Sequence, residues 1–371
     1  FRQGYPEVIG GWEKYSEERY LGTVRGLHNW VALDGSDFLG LGTELKYYIE
    51  QGQQFYDVTP IRKTSTNTVT FSATNGSSTI TVTDSNHQAV QNDFVTISGA
   101  VSLGGNITAA VLNQEYQIDS IVTANTYTIT AKDTAGATVT ANASDTGNGG
   151  SSGSGVYQIN VGLNTGVGGT GWGAGTWGRG GWGSAATQTV STQLRIWSHD
   201  NFGEDLLINP RDAGIFLWDK SNALTTRAVN IVDIPGALNP PTICKQVMVS
   251  DVDRHVIAFG ADTINTGEQD PLLIRFSSQE TATDWTPTAT NTAGDLRIGS
   301  GSEFVRAIET KREIVIFTDS SMHSMQFIGP PFTFGIQPIA SNTTIMGPNA
   351  AVAVDDSIFW MGRQNFYVYD G

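Results

Sequence analysis

The stretch FLGLGTELKYYIEQGQQFYDVTPIR, residues 38–62, sets out a strand unit that the rest of the chain repeats, interrupts and resumes. Residues 38–42 and 45–49 read as short strands, Gln51-Gly52-Gln53-Gln54 as a turn, and residues 55–58 as the next strand. The same couplet returns as DLLINPRDAGIFLWD from Asp205 and as HVIAFGADT followed by PLLIRFS from His255. It returns again as EIVIFTDSSMHSMQFIG from Glu313 and SIFWMGRQNFYVYDG from Ser357. The later copies start roughly 45 to 60 residues apart, the range of a propeller blade repeat. Taking residues 64–190 out of the first interval brings it to about 40, close to the same period. The expectation is an all-β chain: a β-propeller with a small β-sandwich or barrel inserted after its first blade.

Composition agrees with that class. The chain has 371 residues, is 39% hydrophobic and carries 43 glycines with 12 prolines, enough apolar matter for a core and many turns. Thirty-six acidic against 21 basic residues give a formal charge of -15, which disfavours a surface that holds nucleic acid by neutralising phosphates. No apolar run approaches the ~18 residues of a bilayer span, so a soluble protein without membrane insertion is expected. The single cysteine, Cys244, has no partner for an intrachain disulfide and reads as a small core residue. A start at Phe1 and an end at Gly371 directly after a hairpin suggest a piece of a longer product, with the propeller closing outside it.

Four segments follow. Residues 1–63 hold an entry segment, with turn signals at Gly4-Tyr5-Pro6, Gly10-Gly11 and Asp34-Gly35, and the first blade. Residues 64–150 alternate Thr and Ser with Val and Ile in TVTFSA, STITVTD, DFVTISG, EYQIDSIV and TYTITAK, the period-two pattern of an independent β-domain. Its Thr-rich faces suit either contact with a neighbouring protein or host glycan, or an inert decoration. Residues 151–190 are a Gly/Trp-rich return segment. Within it Trp172, Trp177 and Trp182, each flanked by glycine, are candidate subunit or partner contacts, with packing on the chain's own propeller as the alternative. Residues 191–371 supply the remaining blades, incomplete at the C-terminus, with Trp197, Trp218, Trp285 and Trp360 filling the wedges between them.

Chemistry-bearing motifs are scarce. Gly166, Gly168 and Gly171 match GxGxxG, yet glycine and tryptophan follow where a helix should open. His28, His87, His199, His255 and His323 stand in separate segments without metal-ligand spacing. Ser198-His199-Asp200 sets triad residue types side by side, but consecutive strand residues face opposite ways. Asp251 and Asp253 are too few for a calcium loop, since Val256 stands where its glycine belongs. No catalytic residue, metal ligand or cofactor site is read from the sequence.

FRQGYPEVIGGWEK, RGLHNW, LGLGTELKYYIE and YDVTPIR stand before the insertion. After it come LRIWSHDNFGEDLLINPRDAGIFLWD, LLIRFSSQETATDWTP, FIGPPFTFGIQ and FWMGRQNFYVYDG. In this order, these strings resemble the tail nozzle proteins of short-tailed bacteriophages, also called tail hub or packaged-DNA stabilisation proteins. The resemblance implies a virion structural protein in the phage tail, a homo-oligomeric ring, usually a hexamer, that prolongs the DNA channel and helps retain and then release packaged DNA. It implies a tail adaptor above, fibre, spike or needle proteins around or below, transient passage of double-stranded DNA, and no catalysis. Combined with the net charge, it leads to the expectation of an acidic lumen. Two other readings stand beside it: a tail-associated polysaccharide depolymerase, and a receptor-binding module acting through the inserted domain.

Overall fold

The computed structural model describes residues 11, 13–143, 149–163, 194–264 and 266–371. In the first sheet, β1 (Val24–Val31), β2 (Asp37–Thr43), β3 (Tyr47–Gln51) and β4 (Gln54–Asp57) pair antiparallel in sequence order. The bend between β2 and β3 is closed by the Thr43 hydroxyl, which accepts from the Lys46 amide at 2.9 Å. Gly52 and Gln53 turn the chain into β4, both at positive φ. Strand β1 comes from the stretch read as an entry segment. Its turn residues and scattered aromatics concealed a strand that pairs along its length with β2.

The chain then makes a two-sheet body. Its strands are β5 (Ile61–Ser65), β6 (Thr70–Ala73), β7 (Thr79–Thr83), β8 (Phe94–Ser98), β9 (Glu115–Gln117), β10 (Ser120–Thr123), β11 (Thr126–Thr130) and β12 (Ser154–Gln158), with one helical turn, α1 (Ala109–Leu112), before β9. The sheets run β10-β11-β7-β6 and β5-β12-β8-β9, and no barrel closes. Alternate residues of both sheets, among them Phe71, Ile80, Val82, Ile129, Val95, Ile97 and Tyr157, meet in one core. Buried Asp84 ties the sheets together, accepting from Ser65 Oγ at 2.6 Å and Tyr157 Oη at 2.7 Å. The strands of this body therefore lie on both sides of the 64–150 segment, because β12 pairs with β5 on one edge and β8 on the other.

After it come β13 (Trp197–Phe202), β14 (Asp205–Pro210), β15 (Phe216–Trp218) and β16 (Val229–Asn230), then β17 (Gln246–Val249), β18 (Val256–Phe259), β19 (Leu273–Phe276) and β20 (Gly294–Arg297). Next are β21 (Phe304–Glu309), β22 (Ile314–Thr318), β23 (Ser321–Gly329) and β24 (Thr333–Ser341), and last β25 (Ala351–Val354), β26 (Ser357–Met361) and β27 (Phe366–Tyr369). Each group is one antiparallel up-and-down sheet in sequence order, four-stranded except for the three-stranded last.

Each sheet packs a face on the next. Trp30, Phe38, Tyr47 and Ile49 of the first sheet share a core with Trp197, Leu206, Ile208 and Trp218 of the second. Trp218 lies 6.3 Å from Trp30 and 5.9 Å from Phe38, both edge to face. The second and third sheets meet through Leu207, Val247 and Val256, with Trp285 and Cys244 in the same cluster. Phe259 stacks on Phe304 at 5.0 Å between the third and fourth, and Phe317 meets Trp360 at 5.3 Å between the fourth and fifth. Each buried indole withdraws ~150–250 Å² from water, an upper bound of about 4–6 kcal/mol.

An ion cluster joins the two-sheet body to the first sheet. Lys46, 3% exposed, reaches Asp57 Oδ2 at 2.7 Å and Glu115 Oε1 at 2.6 Å, and Arg227 also pairs with Asp57. Burial acts to raise the Asp57 pKa, but the two cations outweigh it and hold the carboxyl below its ordinary range.

Candidate functional site

The first strands of three sheets, β1, β13 and β17, carry polar side chains that tie each to the first strand of the next. A strand at a sheet edge has backbone groups without a ladder partner, and buried ones must find another. Strand β13 supplies partners to both sides. Ser198 Oγ accepts from the Val247 amide at 3.0 Å and Asp200 Oδ2 from the Val249 amide at 2.8 Å, both on β17. His199 turns the other way, its Nε2 3.0 Å from the Leu27 carbonyl of β1 and its Nδ1 3.2 Å from Tyr47 Oη. Gln246 of β17 grips Ala307 of β21 through both of that residue's backbone groups, at 2.9 and 3.0 Å. Ser198 and Asp200 thus leave the strand on one side and His199 on the other, so they form rungs between strands and not a relay.

These rungs surround a cavity of about 230 Å³ between β13, β17 and β21. Burial, with the His28 ring and the Arg306 charge adding to it, pushes His199 down to about 3, so its imidazole is neutral. Burial raises Asp200 against the bonds it accepts from the amides of Val249 and Asn201. Glu309 is pushed up to about 7 by burial, against a bond from the Asp251 amide and helped by the charges of Asp251, Asp200 and Asp253. The Arg306 side chain stands among them without a hydrogen bond or ion pair among the described residues, and its buried Nε has no acceptor. Burial, then the charge of Arg211, lowers its pKa.

The chemistry on offer is narrow. Cys244 is fully buried, and burial drives its thiol far above the ordinary range, so it supplies no thiolate. Among the described residues no group of three His, Cys, Asp or Glu side chains could hold a metal ion. What the centre has is a carboxyl that exchanges a proton near neutrality and an unpaired guanidinium.

A second feature is the last sheet. Across its three strands Val352 pairs with Phe359 and Phe359 with Val368, all on one face, and Met361 pairs with Phe366. Every one of them is exposed, as is Val354, and Phe366 is 83% exposed. The opposite face, with Ile358 and Trp360, is buried against the fourth sheet. A sheet apolar on both faces has the pattern of one covered on both sides.

The candidate contacts Trp172, Trp177 and Trp182 lie outside the described residues. Trp197, Trp218, Trp285 and Trp360 are all buried. Sequence reasoning passed over Gln246, Arg306 and Glu309. They are scattered polar residues in apolar strands, Gln246 on β17 and Arg306 with Glu309 on β21, and only their meeting distinguishes them. The last sheet did carry a signal, since AVAV and IFWM, residues 351–354 and 358–361, are apolar at odd and even positions alike.

No protein-family model and no curated protein matches the chain. Among solved structures it is similar to a phage phi92 endosialidase, 10% identical, with a TM-score of 0.26 over 90% of this chain and 52% of that one. The chain spans about half the length of that structure. No helix among the described residues is long and apolar enough to cross a membrane.

Proposed function

We propose that the chain is a subunit of a phage tail nozzle: a propeller-like stack of β-sheets, interrupted by a two-sheet body, that assembles with copies of itself into a ring around the DNA channel. The observation that carries this reading is the series of up-and-down sheets that resumes after the two-sheet body and ends on a bare apolar face, with Ser198, Asp200 and Gln246 tying its first strands together. Such a molecule is equipped to hold its shape and to associate. The sequence resemblance to nozzle proteins supplies the location, the virion tail, and the neighbours, an adaptor above and fibre, spike or needle proteins around or below. Electron microscopy of particles, with an antibody to the two-sheet body as label, tests it. A ring of label around the tail below the portal is the expected image, and label confined to spike tips would overturn the reading.

One observation favours an enzyme instead. Glu309 titrating near 7 in a cavity that also holds Asp200 has the raised carboxyl that a general acid for glycoside cleavage requires. Release of reducing ends from capsular polysaccharide by the chain, abolished in Glu309→Gln, would establish that second reading. Absence of turnover on polysaccharide of the phage's own host would remove it.

A further inference from the structure

Cations withdrawn from water in this protein have partners. Lys46 meets Asp57 and Glu115; Lys245 lies 3.3 Å from Asp212 and 3.5 Å from Glu303. Arg211 donates to the carbonyls of Phe304 and Val305, both at 3.1 Å. Arg275 donates to the carbonyls of Asp262 and Asn239. The reason is general, because a charge out of water without compensation costs several kcal/mol. Arg306 departs from the pattern. Its side chain has neither ion pair nor hydrogen bond among the described residues, its Nε is sealed from solvent while its two terminal nitrogens are not, and a charge acting on it is a second guanidinium, that of Arg211.

None of the polar side chains that line the cavity with it bonds to it, the carboxyls of Asp200 and Glu309 included. Ser198 and Asp200 are committed to amides of β17, His199 to Leu27 and Tyr47, and Gln246 to Ala307. Glu309 accepts from the Asp251 amide at 3.1 Å. A planar guanidinium offers five donors in a fork that fits two oxygens of one anion. The cavity, about 230 Å³, holds a small ligand and excludes a duplex.

We propose that the cavity between β13, β17 and β21 is a binding site for a small oxyanion, a carboxylate or a phosphate, received by the guanidinium of Arg306. The ligand supplies the missing counter-charge at the point where the first strands converge, so its arrival stabilises the second, third and fourth sheets together. The half-neutral carboxyl of Glu309 opposes such an anion less than a full charge would, and it serves as a donor when protonated.

The test is calorimetric titration of the purified chain at pH 7 and low ionic strength, with inorganic phosphate and with acetate as separate probes, alongside thermal melts. The wild type is expected to bind one of them saturably and to melt higher in its presence. Arg306→Gln should weaken binding about tenfold or more, with an unliganded melting temperature equal to or above that of the wild type, since it removes an uncompensated charge. Arg306→Lys keeps the charge without the fork and should fall between. It also serves if the glutamine variant fails to fold. Tighter binding of phosphate assigns the site to a phosphorylated ligand, and tighter binding of acetate to a carboxylate. The proposal is overturned if neither anion binds, or if Arg306→Gln binds as the wild type does. It is overturned equally if that variant only melts lower with its anion response unchanged, the mark of a purely structural arginine.

Discussion

Gly42 shows how closely the first two sheets approach. A Cβ built there would lie 2.3 Å from Cδ1 of Trp197, whose indole donates to the Thr43 carbonyl at 2.8 Å. Gly42→Ala must therefore push the indole out of the core, and we expect a loss of about 1–3 kcal/mol, as for other overpacked cores, read from urea unfolding midpoints. Glu309 makes a prediction in pH. Its folded pKa of about 7 lies above the ~4.3 of an unfolded glutamate, so the folded state binds this proton more tightly. Its stabilising contribution is complete below the unfolded value and is lost as pH rises through about 7. Unfolding curves from pH 4 to 8 should show stability falling over that window more steeply in the wild type than in Glu309→Gln. Parallel profiles would mean that the carboxyl is not withdrawn from water as described.

At the scale of elements, β12 decides the limits of the inserted body. It lies between β5 and β8, and its Tyr157 reaches Asp84 at 2.7 Å and Tyr127 Oη at 3.1 Å inside the core. A fragment of residues 60–160 should fold alone, with the strand signature in circular dichroism and a cooperative melt. A fragment of residues 64–150 should not, because it lacks β12 and leaves buried Asp84 without Tyr157. The last sheet makes the other prediction at this scale. Lysines in place of Val352 and Phe359, which are 56% and 46% exposed, should cost within about 0.5 kcal/mol of fold stability. They should reduce self-association measured by sedimentation, if a second copy covers that face. A stability loss of several kcal/mol would show instead that the face is already covered within the subunit.

Over the whole molecule, charge decides what it can hold. With 36 acidic against 21 basic residues, its cations are outnumbered, so contact with it would displace few of the counterions condensed on a DNA backbone. Fluorescence anisotropy should find no salt-sensitive binding of duplex DNA between about 50 and 200 mM salt, the behaviour expected of a wall past which DNA slides. Tight binding that weakens steeply over that range would refute the acidic lumen expected of the proposed ring.

The local pattern was sufficient for much of this architecture. The hairpin of β2 and β3, the turn at Gly52 and Gln53, and the alternation in TYTITAK each depend on neighbours within a few residues, so period and turn chemistry reveal them. The same locality accounts for the buried Trp197, Trp218, Trp285 and Trp360, since an indole bounded by strand residues has few places to go except a core. Strand β1 escaped because RGLHNW has no clean alternation, and it is held as a strand by pairing with β2. β5 and β12 lie some 90 residues apart, and their pairing joins two ends that composition assigned elsewhere. The centre is the extreme case. Ser198, Gln246 and Arg306 acquire meaning only when sheets separated by about a repeat length stack and bring their first strands together. That register is set by the packing of Trp218, Phe259 and Phe304 across the sheet interfaces, and by nothing in the segments themselves.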